Sequence, residues 1–143
     1  HAINFLNDQS QATIDWIIAP QVTSPFTEAK DIEKAISAVK KGNHDSYFSC
    51  SPVNDLFIWN SKKRDLKSLN YDWKNRKRRQ EIEKQYIENG AFYIFQPNSI
   101  LFHKNRFEGN IGCIEMDSWK IFEIDDYEDI KICKILMQHM IIK

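Results

Sequence analysis

Glu123 and Asp125, separated only by Ile124, are the side chains of this sequence best suited to hold a hard cation. On a strand, residues two apart point to the same face, so a strand over 121–124 would present both carboxylates together and turn Ile124 inward. Mg²⁺ favours such a site, because it takes a few carboxylates and fills its octahedron with phosphate oxygens and water. The same spacing also describes a solvated acidic strand end that helps cap the next helix, and spacing alone leaves both open. A second group is Gln21, Thr23 and Ser24, whose amide and hydroxyls sit on a loop stiffened by Pro20 and Pro25. Matched donors and acceptors of that kind suit a polyhydroxylated ligand, and equally an ordinary polar loop. A third is the basic run Arg76, Lys77, Arg78, Arg79, which fits a nucleic-acid patch or a solvated helix start. The fourth is Asn89, followed by Gly90 and an apolar run. Asn-Gly reads as a turn, since glycine accepts positive φ, and such a turn would hold the Asn89 amide at the mouth of a sheet.

The elements that must position these groups follow from periodicity. Residues 15–19 (DWIIA) form a short apolar run ending at Pro20, which suits a buried parallel strand. Thr27, as N-cap, opens a helix through Val39 with Ile32, Ala35, Ile36 and Val39 on one face, and Gly42 stops it after two lysines. Residues 46–50 (SYFSC) read as the next strand. A charged helix over 75–87 leads to the turn at Asn89 and a strand over 91–95. Pro97 starts a helix or turn with Ile100, Leu101 and Phe102 inward; 113–116 and 121–124 are further strand candidates. The closing helix spans 128–140, with Ile132, Ile135, Leu136 and Met140 as its apolar stripe, and residues 1–11 are weakly helical. Between these elements, 61–80 is too polar to build a core and too aromatic to be plain disorder. Exposed aromatics among charges mark an interface or an irregular surface loop.

Composition narrows the classes. The 143 residues make one domain or a piece of one. Twenty basic residues balance twenty acidic ones, so no global field points to nucleic acid or to an anionic membrane. No apolar run of about 18 residues occurs, which argues against a membrane span, and the absence of a charged-then-apolar leader reads as cytoplasmic. Cys50, Cys113 and Cys133 are odd in number and lack CxxC spacing, against a disulfide framework or zinc site. His44, His103 and His139 lack ligand spacing, and no Ser/His/Asp or Cys/His set is evident.

Three segments in order then carry a resemblance: QVTSPF at 21–26, RRQ leading into YIENGAFYIF at 78–95, and FEIDDYED at 122–129. They resemble the QPTSPLR, PRRQD followed by YxENGAFYI, and IDxPED segments of the acylneuraminate cytidylyltransferases, the CMP-sialic acid synthetases. The likeness covers about 14–132. It implies an α/β fold: a partial three-layer, Rossmann-like nucleotidyltransferase domain, a mixed sheet flanked by helices, with 57–80 as a dimerisation insertion exchanged between subunits. It also implies that a strand and a glycine-rich triphosphate-gripping loop precede His1, since none of the four glycines here lies in such an array. On this resemblance Glu123 and Asp125 bind the catalytic Mg²⁺, and Gln21, Thr23, Ser24, Gln80, Asn89 and Tyr93 contact substrate. Arg79 reaches the partner subunit's sugar acid, where a guanidinium fork matches a carboxylate. The chain departs from the pattern at Val22, usually proline, at Thr27, usually arginine, and at Glu123, often aspartate; the last makes ligation at Asp125 the firmer expectation.

The expected activity is transfer of CMP from CTP to a nonulosonic (sialic-type) acid with release of pyrophosphate, by a homodimer that engages neither nucleic acid nor membrane. Two rivals stand beside it. One is a non-catalytic fragment or shortened relative that keeps the dimerisation segment and part of the sugar-acid pocket. The other is an RNA-binding module built on the basic run, which predicts tight, strongly salt-dependent binding.

Overall fold

The computed structural model describes residues 1–9, 13–62 and 65–141. Its centre is a four-stranded mixed sheet in the order β1-β5-β2-β6, formed by β1 (Ile17–Pro20), β2 (Ser46–Val53), β5 (Gln85–Phe95) and β6 (Ile111–Glu115). β5 runs antiparallel to both its neighbours, and β2 pairs with β6 in parallel. Three strands therefore share one direction and end on one edge. β1 is not the buried parallel strand expected from its apolar run: it is a four-residue edge strand, antiparallel to β5, and Pro20 falls at its last position, where an edge tolerates the missing donor.

Helix α2 (Ala29–Lys41) covers one face of the sheet. Ala35 packs with Tyr47, Phe92, Ile94, Ile114 and Met116, and Ile32, Ala38 and Val39 close the edges of that core. Tyr47 spans the layer and donates its hydroxyl to the Ala38 carbonyl at 3.1 Å. The N-cap is Glu28 rather than Thr27. Asp31, three residues on, accepts from the Glu28 amide at 3.0 Å, while Thr27 Oγ1 turns back to the Ser24 carbonyl. Gly42 ends the helix in the left-handed region, φ +68°.

Other expectations fail for identifiable reasons. The charged stretch before Asn89 is not a helix. A single 3₁₀ turn (Arg79–Glu81) is followed directly by β5, which starts at Gln85 and continues through Gly90. Residues 121–124 are not a strand either: a 3₁₀ turn (Ser118–Ile121) gives way to an extended loop. In α3 (Pro97–Leu101) only Ser99 is buried, and Leu101 and Phe102 face outward. In α4 (Tyr127–Leu136) the buried residue is Cys133; Ile132 and Ile135 are exposed, as is Met140 in the π-turn (Met137–Ile141) that follows. The first helix, α1 (Ala2–Gln9), buries no side chain; Ser10 and Gln11 of that expected helix lie outside the described residues.

The 57–80 segment stands apart from the main sheet. It carries a two-stranded hairpin, β3 (Trp59–Lys62) and β4 (Asp65–Ser68), whose connection at 63–64 lies outside the described residues. Phe57 and Trp59 pack on Tyr71, and Trp59 on Trp73, while Asn70 ties the base of the hairpin to Leu56 and Ile58. No helix of the described residues is long and apolar enough to cross a membrane.

Candidate functional site

β5 departs from regular pairing in its middle. Phe48 of β2 faces Tyr93, yet Cys50 faces Glu88, so β5 spends 89–92 where β2 spends Ser49 alone. A bulge of that size strands backbone donors inside the protein, where each unpaired group is costly. Serines and an amide satisfy them. The Phe92 amide donates to Ser49 Oγ at 2.9 Å and the Ala91 amide to Asn89 Oδ1 at 3.3 Å. Asn89 Nδ2 in turn donates to Ser51 Oγ at 3.0 Å and lies 3.3 Å from Met116 Sδ. Asn89 is therefore a buried brace, with both ends of its amide engaged by the protein. Gly90, at φ +65°, forms the outward crest of the bulge.

Two loops close on that crest. After β1 the chain turns through 21–24, with the Gln21 amide bonded to the Ala91 carbonyl at 2.9 Å and Ser24 Oγ reaching the Asn89 carbonyl at 3.5 Å. The 122–125 loop is held against it by the Ile124 amide, which donates to the Thr23 carbonyl at 2.8 Å. This places the Glu123 carboxylate on Gly90: a Cβ built there would collide with Glu123 Oε2 and lie 3.6 Å from Ser24 Oγ. Only glycine lets the carboxylate come so near, and only glycine holds that φ without strain. These groups thus gather toward the carboxyl ends of the co-directional strands, the customary binding edge of an open α/β sheet.

A buried ion cluster fixes the approach of the 122–125 loop. Lys120, in the preceding 3₁₀ turn, is 2% exposed, and its Nζ lies 2.5 Å from Glu28 Oε2 and 2.6 Å from Asp31 Oδ2 at the start of α2. Beside it Trp119 packs edge-on to Phe26 at 5.1 Å, and Ser51 Oγ holds the Asp117 carbonyl. Asp126 caps α4 by accepting from the Glu128 and Asp129 amides, and Asp129 returns Oδ2 to the amides of Asp125 and Asp126.

The electrostatics match that geometry. Burial pushes the Glu123 carboxyl above its ordinary value, and the neighbouring charges of Asp125 and Asp129 add to the shift. Tyr93, one face of the cleft's floor, is raised first by burial and then by its hydrogen bond to Glu88 Oε2 at 3.0 Å. Glu123 and Asp125 offer carboxylate oxygens, the donor type a hard divalent cation takes, and such an ion would relieve their mutual repulsion. Among the described residues no group of three or more His, Cys, Asp or Glu converges on a common metal position.

Of the residues singled out in the sequence, Gln21, Thr23, Ser24, Asn89 and Glu123 are brought together at the bulge, with Asp125 and Tyr93 beside it. Arg79 and Gln80 belong elsewhere. Arg79 Nε lies 3.6 Å from Asp55 Oδ2, at the rim of a groove of about 270 Å³ lined by neither Glu123 nor Gln21. Sequence reasoning missed Gly90 as the seat of the carboxylate, Ser49 and Ser51 as its support, Lys120 as its anchor, and Arg106, whose guanidinium lies on the Tyr93 ring. The spaced serines of SYFSCS were the one available signal, since hydroxyls on an otherwise apolar strand need partners.

The fold is that of a mixed α/β protein, with the Glu123 carboxylate seated on the β5 bulge. No protein-family model matches the chain. It is similar to Post-translational flagellin modification protein B of Campylobacter coli, 26% identical over 130 residues that make up 87% of this chain and 53% of that protein. The chain spans about half the length of this curated relative.

Proposed function

We propose that this chain carries the sugar-acid half of a CMP-acylneuraminate-type cytidylyltransferase, a partial three-layer Rossmann-like domain that acts as a homodimer in the cytoplasm. The observation that carries the reading is the seating of Glu123 on Gly90, beside Asp125 and the Gln21–Ser24 loop. The ordered motifs and the likeness to a flagellin modification protein support it. In the reaction the anomeric hydroxyl oxygen of a nonulosonic acid attacks the α-phosphorus of CTP. The α–β phosphoanhydride bond breaks, pyrophosphate departs, and the hydroxyl proton passes to water. The protein's task is then mostly positioning. Glu123 and Asp125 would hold Mg²⁺, which would neutralise triphosphate charge. Gln21, Thr23 and Ser24 would seat the sugar hydroxyls, with Tyr93 beneath them. Asn89 would serve by holding the bulge in shape and offering its backbone. Arg79 and Gln80, on the 57–80 arm, would act across a dimer interface.

The test is formation of the CMP-sugar from CTP, Mg²⁺ and N-acetylneuraminate, by the chain alone and by the chain fused to a glycine-rich CTP-binding segment. Product whose formation falls at least 100-fold in Asp125→Asn supports the reading; product that is indifferent to both Glu123→Gln and Asp125→Asn refutes it. A second reading, a non-catalytic chain that retains the arm and the sugar-acid pocket, is favoured by the lack of a glycine-rich phosphate array among these 143 residues. Turnover by the chain alone eliminates it.

A further inference from the structure

Arg106 lies over the ring of Tyr93 on the β5 strand. Its guanidinium carbon lies 3.8 Å from the centre of the Tyr93 ring. Tyr93 is itself fixed on three sides. On β5 it pairs with Ala19 and Phe48, its ring meets Phe107 edge-on at 5.9 Å, and its hydroxyl is committed to Glu88 Oε2 at 3.0 Å. Phe107 is backed in turn by Phe48 at 5.8 Å. Among the described residues, Arg106 forms no ion pair with any carboxylate. An arginine stacked flat on an aromatic ring keeps its N–H edge free for a planar oxyanion, and stacking fixes its orientation at little further entropic cost.

We infer that Arg106, held on Tyr93, is a specificity-determining residue that receives an oxyanion of the ligand. The identity of that ligand rests on the nucleotidyl-transfer reading. Two sources present the required chemistry, the carboxylate of the sugar acid and a phosphate of the nucleotide. The arrangement separates charges: carboxylates on Gly90 for a cation, a guanidinium on Tyr93 for an anion. A neutral sugar gains nothing from it.

The experiment compares the wild-type chain with Arg106→Gln and Arg106→Lys, using N-acetylneuraminate, N-acetylmannosamine and CTP as separate probes in calorimetric or NMR titrations. Thermal unfolding confirms that each variant is folded. Arg106→Gln is expected to weaken one anionic probe about 10- to 100-fold, the range of a charge-assisted fork, and to leave the neutral sugar unchanged. Arg106→Lys recovers only part of the loss, because it keeps the charge without the fork or the stacking. Loss confined to N-acetylneuraminate identifies the carboxylate; loss confined to CTP identifies the phosphate. Equal binding of both anions by wild type and Arg106→Gln, or no binding of either by wild type, overturns the inference. CMP-sugar formation with unchanged KM values in Arg106→Gln would overturn it while leaving the nucleotidyl-transfer reading intact. Arg106-dependent anion binding without any CMP-sugar from the chain fused to a glycine-rich CTP-binding segment would do the reverse.

Discussion

The bulge of β5 and the β3–β4 arm use their polar and aromatic residues in opposite ways. At the bulge, side chains distant in sequence are buried and committed: Asn89 braces the backbone, Ser49 and Ser51 support it, and Lys120 draws the 3₁₀ turn onto α2. In the arm the ties are short-range, from Asn70 to Leu56 and Ile58 and from Phe57 to Tyr71, and Leu66, Leu69 and Trp73 remain more than half exposed. A region built of long-range buried bonds holds a fixed shape, which suits a ligand that must be oriented. A region of local bonds under an apolar exterior suits association with another surface. Variants that unfold, strain, discharge or merely trim these two regions test that division.

The largest effect is expected at Lys120. Its ammonium answers two carboxylates, one of them fully buried, so Lys120→Met leaves Asp31 as an unpaired internal charge. Removal of one member of a buried pair costs about 3 kcal/mol or more, to be read from urea unfolding. The double variant Asp31→Asn/Lys120→Met should recover part of that loss, because it removes the stranded charge as well. A loss below about 0.5 kcal/mol would mean that the cluster anchors nothing.

Gly90→Ala is expected next. A non-glycine residue at φ +65° costs about 1–2 kcal/mol, and the new Cβ, colliding with Glu123 Oε2, must displace the carboxylate. The variant should lose metal-dependent activity more steeply than stability. Full activity at unchanged Mg²⁺ requirement would show that Glu123 does not work from its seat on Gly90.

How much of this was legible in the sequence depends on the reach of each interaction. The apolar runs at 15–19 and 46–50 and the α2 periodicity all marked real elements, because burial pattern and caps are local signals. The Asn-Gly signal marked a positive φ at Gly90 correctly, but as a bulge within β5 rather than a turn before it. The strand continues because Ser49, some forty residues earlier, and the Asn89 side chain supply the acceptors that the ladder lacks. No local pattern singles out Lys120. Its partners lie 92 and 89 residues away, and no periodicity announces a contact of that span. The alternation argument for Glu123 and Asp125 failed with the strand it assumed, yet the Ile124–Thr23 bond and the Lys120 anchor bring Glu123 to the cleft by another route.

A smaller, pH-dependent effect is expected at Glu123. Its carboxyl is raised in the folded protein by burial and by Asp125 and Asp129. The folded form therefore binds this proton more tightly than the unfolded form does. Ionised Glu123 costs stability at neutral pH, and the cost disappears as pH falls through the raised value toward the ordinary 4.5. Glu123→Gln should raise the unfolding midpoint by roughly 1–2 °C at pH 7 and by nothing near pH 4, while lowering activity. Added Mg²⁺ should raise the wild-type midpoint and leave that of Glu123→Gln unchanged. A lower midpoint for the variant at pH 7 would reverse the sign and remove the electrostatic account of the site.

The smallest change in stability belongs to the arm. Trp73 is 56% exposed and touches Trp59 at 6.3 Å between ring centres, so Trp73→Ser removes little that the folded chain buries. Unfolding should shift by no more than about 0.5 kcal/mol, the range of surface substitutions. If 57–80 is a pairing surface, however, an exposed tryptophan beside Leu66 and Leu69 is the kind of side chain on which association depends, and its loss should weaken dimerisation about tenfold or more in sedimentation equilibrium. The two readouts separate the alternatives. Unchanged folding with weakened association assigns the arm to an interface; unchanged folding and association leave it a surface loop. A loss of stability as large as that of Lys120→Met would place the arm within the same cooperative unit as the bulge, and the contrast between the two regions would fail.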